Sequence, residues 1–208
     1  YTGQNLKPTI FRYHLPKLCP DLRRRTGEPL ISTMVSRLCG SKSDPKGHSI
    51  SSPNWGSVKR NQIIVEEIIK AARSERRILV LSDRISHLKD LEILLRKYLT
   101  PTFPIGYYIG AMKQEDLDKS ANDCKILLGT YSMSKEGLDI PKLDTLVMAT
   151  SKGDIVQSVG RIMRLHPNKK SPIVMDFIDQ IPIFQAQAEH RLRSYNSHEY
   201  TVIEVDRT

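Results

Sequence analysis

The sequence predicts an α/β fold built on a mostly parallel sheet flanked by helices, and three observations carry that expectation. Short, wholly apolar runs recur, Ile78-Leu79-Val80-Leu81 and Ile126-Leu127-Leu128 among them. Runs of that length without polar alternation suit strands buried on both faces. Between them lie longer segments whose apolar residues return at helical spacing. The two kinds alternate along the chain, the pattern of βαβ units and a parallel sheet.

The elements follow in order. Up to about Trp55 the chain is rich in Pro, Gly, Ser and basic residues, and Pro8, Pro16, Pro20, Pro29, Pro45 and Pro53 interrupt any long element. A short helix is expected over 30–38 and a flexible loop over 40–57. Arg23-Arg24-Arg25 reads as a solvated turn, with a phosphate contact as the alternative. From Val58 onward the pattern is regular. Ile63, Ile64, Ile68 and Ala71 mark a helix, 78–81 a buried strand, and Ile85, Leu88, Leu91, Leu94, Leu95 and Tyr98 an amphipathic helix. Strands are expected at 105–109, 126–128, 143–149 and 173–177, with helices at 115–121, 155–165 and 184–195. The alternation over 200–205 suits a closing edge strand. Two regions result: 1–57, an irregular N-terminal stretch, and 58–208, the α/β lobe.

Bulk properties narrow the function. The 208 residues suffice for a full core, and a net charge of +9 suits an anionic partner, with merely solvated lysines as the alternative. No apolar run reaches membrane-spanning length, and no signal peptide opens the chain. Three cysteines at wide spacing argue against a disulfide framework and for a reducing compartment. His14, Cys19, Cys39 and His48 could surround a zinc ion, but no C-x-x-C pair exists, so no metal is assigned. A first residue of Tyr1 suggests a piece of something longer.

In parallel sheets ligands bind at the carboxyl ends of strands. Ser82-Asp83-Arg84, Gly129-Thr130 and Thr150-Ser151-Lys152 all sit at such ends, gathering hydroxyls and cations suited to phosphate. Further on, Gln157-Ser158-Val159-Gly160-Arg161-Ile162-Met163-Arg164 sets two arginines three residues apart, expected on one helical face, with Gly160 expected to permit close packing. Guanidinium groups clamp phosphate oxygens and stabilise charge on a transferring phosphoryl group.

That octet resembles motif VI of superfamily 2 helicases. The run from Thr130 through Gly137-Leu138-Asp139-Ile140-Pro141 resembles motif V, and Ile78 through Arg84 resembles motif IV. Their order and spacing are similar to those of the second RecA-like lobe of that family over about 58–180. Leu81-Ser82-Asp83-Arg84 and Asp176-Phe177-Ile178-Asp179 resemble the branch found in large cytoplasmic DNA viruses of the poxvirus and African swine fever virus type, with phage and excision-repair relatives. The opening twelve residues then resemble the crossover from a first lobe, and about 16–55 an insertion.

The resemblance implies roles. Arg161 and Arg164 would be arginine fingers reaching ATP on the other lobe, surface arginines being the bland alternative. Gln157 would sense the γ-phosphate or link the lobes, or simply be a helix-face amide. Gly137 and Asp139 would lie by the nucleotide; Asp139 could otherwise cap a helix end. Ser82 and Thr130 would hold the nucleic-acid backbone, or serve as local caps. Arg84 would add a phosphate contact or pair with a carboxylate, and Lys152 and Tyr108 are similar candidates. His166 reads as a turn residue.

A motor also needs a G-x-x-x-x-G-K-[ST] phosphate loop and an acidic pair for magnesium, and neither occurs in this sequence. The chain is therefore expected to be the second lobe alone, inactive as an ATPase by itself. ATP and Mg2+ would be bound mainly by the N-terminal lobe of the same protein. The implied activity is an ATP-dependent helicase or translocase (a hydrolase). DNA is the expected track, held by its backbone, with a role in viral transcription. The expected location is intracellular: host cytoplasm or virus particle. The alternative is a non-catalytic RecA-like module that binds nucleic acid or a partner, favoured by the basic stretch from Arg23 to Lys46.

Overall fold

The computed structural model describes residues 7–16, 55–136, 140–164, 166–167 and 169–208; the side chains of residues 55–57, 135, 136, 157, 161 and 183 are outside it. The helix expected over 30–38, the Arg23 cluster, and Cys19, Cys39 and His48 also lie outside the described residues.

Among the described residues, seven strands form one sheet: β1 (Thr9–His14), β2 (Ile78–Ser82), β3 (Ile105–Tyr108), β4 (Ile126–Thr130), β5 (Thr145–Met148), β6 (Ile173–Ile178) and β7 (Thr201–Asp206). Their order is β3-β4-β2-β5-β6-β1-β7, and every pairing is parallel. The helices are α1 (Trp55–Arg73), α2 (Ile85–Tyr98), α3 (Gln114–Asp123), α4 (Tyr131–Glu136), α5 (Val156–Ile162) and α6 (Pro182–Ser197).

Successive strand residues point to opposite faces, so the apolar runs feed two cores. Ile78, Val80, Ile126, Leu128 and Val147 pack with Ile64 and Ile68 of α1 and Leu88, Leu91 and Leu95 of α2. Leu79, Leu81, Leu127, Leu146 and Met148 face the other side, against Leu117 of α3, Tyr131 of α4, Val159 and Ile162 of α5, and Tyr195 of α6. Each fully buried Leu or Ile contributes about 1.5–3 kcal/mol relative to exposure, which fastens helices to both faces. On the β3 side, a Cβ on Gly106 would lie 2.5 Å from Cys124 Sγ, so only glycine lets that strand approach the end of α3.

Three local features differ from the sequence reading. β1, flanked by Pro8 and Pro16, lies inside the sheet between β6 and β7, although its residues fall in the segment set apart as crossover. α4 is a short helix in a stretch to which the sequence pattern assigned no element. α5 ends at Ile162 instead of continuing to residue 165, because Met163 N–H bonds the Gly160 carbonyl at 3.3 Å and closes the last turn. Arg164 therefore lies beyond the helix. Nor is Gly160 a point of close packing: a Cβ there would meet nothing within 4 Å.

Candidate functional site

The loop leaving β2 runs to α2 on one face, while those leaving its neighbours β4 and β5 run to α4 and α5 on the other. Such a reversal opens a crevice at the carboxyl end of the central strand. Ser82 and Thr130 are register partners there. The Asp83 N–H donates to Thr150 Oγ1 at 3.0 Å, and the Ala149 N–H donates to the Leu81 carbonyl at 2.9 Å, so the three strand ends are tied together.

Ser82 is fully buried. Its Oγ accepts from the Arg84 N–H at 3.2 Å and lies 3.1 Å from His87 Nδ1. His87 Nε2 lies 2.9 Å from Asn61 Oδ1, an acceptor, so Nε2 carries the proton and Nδ1 accepts from Ser82. Burial, then the nearby Arg60 and Arg84 charges, hold His87 down at about 3 and keep it neutral. The Ser82 hydroxyl is thus engaged inside the fold, and what it presents to the edge is the Asp83-Arg84 turn. Arg84 is half-buried at the position preceding α2. Thr130, also half-buried, has Oγ1 3.1 Å from Ser132 Oγ.

Lys152 stands on the loop after β5, its Nζ 2.9 Å from Asp83 Oδ1 and 5.4 Å from the centre of the Tyr131 ring. Beneath that loop is a buried charge cluster. Arg191 of α6 donates from Nε and Nη2 to both oxygens of Asp176 of β6, at 3.0 and 2.6 Å. Its Nη1 donates to the Lys152 carbonyl at 2.8 Å and to Ser151 Oγ at 3.2 Å. Tyr195 OH donates to Asp176 Oδ2 at 3.1 Å, and Tyr131 OH donates to the Thr150 carbonyl at 2.7 Å. Burial pushes both tyrosine hydroxyls well up, so they remain donors. On the other side Arg60 of α1 grips Asp179 through two bonds and the Ala149 carbonyl through a third, at 2.7 Å. The loop after β5 is therefore held from α1 and from α6.

The motif V and motif VI segments also meet. Ser134 of α4 and Ser158 of α5 are buried with their hydroxyl oxygens 2.9 Å apart, and Ser134 donates to the Tyr131 carbonyl, so Ser158 donates to Ser134. Lys169 Nζ donates to the Arg164 carbonyl at 2.6 Å and the Pro141 carbonyl at 3.1 Å. Arg164 is exposed. Arg161 and Gln157 sit on α5, but their side chains, like Gly137 and Asp139 altogether, lie outside the described residues. Tyr108 is buried at the end of β3 and His166 partly exposed in a turn, its Nδ1 2.7 Å from the Pro167 carbonyl.

Sequence reasoning missed Arg191, His87, Tyr131 and Lys169. Asp176 carried a signal that could have led to the first of these: a carboxylate inside an apolar strand needs a buried partner. Among the described residues no group of three or more His, Cys, Asp or Glu could hold a metal, and no helix is long and apolar enough to cross a membrane.

The chain matches the model of the helicase conserved C-terminal domain over residues 59–166. It is 36% identical over 145 residues (69% of this chain, 28% of the relative) to "Putative ATP-dependent RNA helicase L396" of Acanthamoeba polyphaga mimivirus. It is 36% identical over 81 residues (38% of this chain, 18% of the relative) to "Putative helicase 161L" of Invertebrate iridescent virus 6. It is 26% identical over 129 residues (60% of this chain, 26% of the relative) to "ATP-dependent DNA helicase uvsW" of Enterobacteria phage T4. The aligned region thus spans under a third of each of these relatives. Among solved structures, T4 UvsW superposes with a TM-score of 0.63 at 18% identity, covering 97% of this chain and 41% of that one. The Mss116p DEAD-box helicase domain 2 bound to an RNA duplex gives 0.56 at 11% identity, covering 95% and 62%.

Proposed function

Because the chain belongs to the helicase conserved C-terminal domain family, the second lobe of superfamily 2 helicases, we propose that it serves as that lobe in a longer ATP-dependent helicase or translocase acting on nucleic acid. The observation that carries the reading is the convergence of Ser82-Asp83-Arg84, Thr130 and Thr150-Ser151-Lys152 on one crevice, with the motif V and VI helices locked together beside it through Ser134 and Ser158.

In this reading the lobe performs two tasks. Arg84, Lys152 and Thr130 hold the strand by its phosphates, with Ser82 fixing the turn that carries Arg84; such contacts carry little sequence preference. Arg161 and Arg164, with Gln157, face the nucleotide across the cleft, and Gly137 and Asp139 border it. Arg164 fits that role as an exposed, permanently charged group beyond a helix end. ATP, when bound, supplies the phosphoryl group whose departure resets the cycle. We assign the phosphate cradle and Mg2+ to the first lobe. The arginines then favour the closed arrangement of the two lobes by adding positive charge where negative charge develops.

DNA is the track we favour, in keeping with the name of the T4 relative, and viral transcription the setting, in host cytoplasm or virus particle. The mimivirus relative has RNA in its name, so both nucleic acids belong in the test. The test is ATP turnover by the full-length protein without nucleic acid, then with single-stranded DNA, duplex DNA and RNA. Stimulation by nucleic acid, larger for DNA, is expected. Tight binding without any ATP turnover would replace this reading with a non-catalytic binding module.

A further inference from the structure

We propose that Lys169, which follows the motif VI segment, is a positioning residue that sets the second arginine, Arg164, by holding its backbone carbonyl and that of Pro141 at once. The inference rests on the reading of Arg164 as a finger and adds to it the residue that aims it.

Helical hydrogen bonding ends at Ile162, so the carbonyls that follow have no partner within the helix. Arg164 sits two residues further on and cannot inherit its orientation from the helix. Lys169 supplies what the helix does not: its Nζ donates to the Arg164 carbonyl at 2.6 Å. An ammonium suits that place, because lysine side chains satisfy terminal carbonyls and favour the negative end of the helix dipole. The same Nζ donates at 3.1 Å to the carbonyl of Pro141, the last residue of the motif V segment. One cation thus ties the exit of motif V to the turn carrying Arg164. The backbone adds a second hold, since the Lys169 N–H donates to the His166 carbonyl at 3.2 Å and closes the intervening turn.

Two features separate this lysine from a solvated surface cation. It is half-buried, and neither bond above goes to a carboxylate. Burial also pulls its ammonium below the usual lysine range, with Asp144 opposing. A group held partly out of water on two carbonyls stays in place only while both are positioned to receive it, which couples the two segments.

The test uses the full-length protein with saturating nucleic acid and compares wild type, Lys169→Met, Lys169→Arg, Arg164→Ala and the Lys169→Met/Arg164→Ala double variant. A displacement of about 1 Å at a reacting group costs on the order of 100-fold, so Lys169→Met is expected to lower kcat by roughly 10- to 100-fold. KM for ATP and the melting temperature should move little. Lys169→Arg, which keeps donors and charge, should recover most of the loss. The double variant should be no slower than Arg164→Ala alone, because both changes remove one function. A Met variant that does not fold is replaced by Lys169→Gln under the same criteria. Turnover within twofold of wild type for Lys169→Met, beside a collapsed Arg164→Ala, overturns the proposal and leaves the finger reading standing. Additive losses in the double variant also overturn it. An Arg164→Ala variant as active as wild type removes the finger reading and this proposal with it.

Discussion

Replacing Arg191 with methionine removes the cation paired with Asp176 inside the fold. Neither side chain has any exposed surface, and the guanidinium spends donors on both carboxylate oxygens, on Ser151 and on the Lys152 carbonyl. The two charges are costly to bury, so the pair's net worth is small, but stranding one partner costs about 3–5 kcal/mol. For a chain of this size each kcal/mol shifts the melting temperature by about 2–4 °C, so Arg191→Met is expected to melt roughly 6–20 °C lower. Thermal unfolding followed by circular dichroism reads the shift directly. A triple variant isolates the cause: Asp176→Leu with Arg191→Met removes both charges, and Tyr195→Phe removes the hydroxyl that would lose its acceptor. If stranded charge is the origin of the loss, the triple variant regains most of the stability, since well-packed apolar replacements of a buried pair are commonly neutral or better. A single variant within about 1 kcal/mol of wild type, or a triple variant as unstable as the single, would show that stranded charge is not the origin of the loss.

Three further outcomes follow from the same edge. His87 stays neutral in the fold down to about pH 3, whereas the unfolded chain protonates it near 6.5; between those values the unfolded state binds more protons, so this contribution to stability is complete above the window and is lost as the pH falls through it. Chemical denaturation from pH 7 to 4 should show that slope in wild type and a shallower one in His87→Gln; equal slopes would exclude His87 as the source. Asp83→Asn releases Lys152 from its ion pair, an exposed pair of this kind being worth about 0.2–1 kcal/mol, so affinity of the full-length protein for DNA should rise up to about fivefold. Lys152→Ala should weaken binding and flatten the salt dependence by about one phosphate contact, and an unchanged salt slope would remove Lys152 from the interface.

Much of the fold was legible because the central strands are built on apolar runs buried on both faces, as in β2, where all five residues are buried. α2 matches its expected span, since its caps coincide with a clean helical stripe. β1 escaped because a buried arginine, Arg12, sits in mid-strand between two prolines; its salt bridge to Glu204, 192 residues away, could not be read from sequence. α4 is too short for periodicity to register. The candidate site divides the same way. Strand-end positions such as Thr130 and Lys152 follow from topology alone. The burial of Ser82 depends on His87 and on Asn61 of another helix, and the grip of Arg191 spans 15 residues to Asp176 and 40 to Ser151. Local patterns do not encode pairings at such separations.

The proposed reading is that this lobe completes an ATP site formed with another lobe. Its most direct test is ATP turnover by the full-length protein, saturated with nucleic acid, comparing wild type with Arg164→Ala. Removing an arginine finger costs on the order of 10³–10⁵ in kcat, and a collapse of that size with nucleic-acid binding retained is the predicted result. Turnover by Arg164→Ala within a few-fold of wild type would rule out Arg164 as a finger.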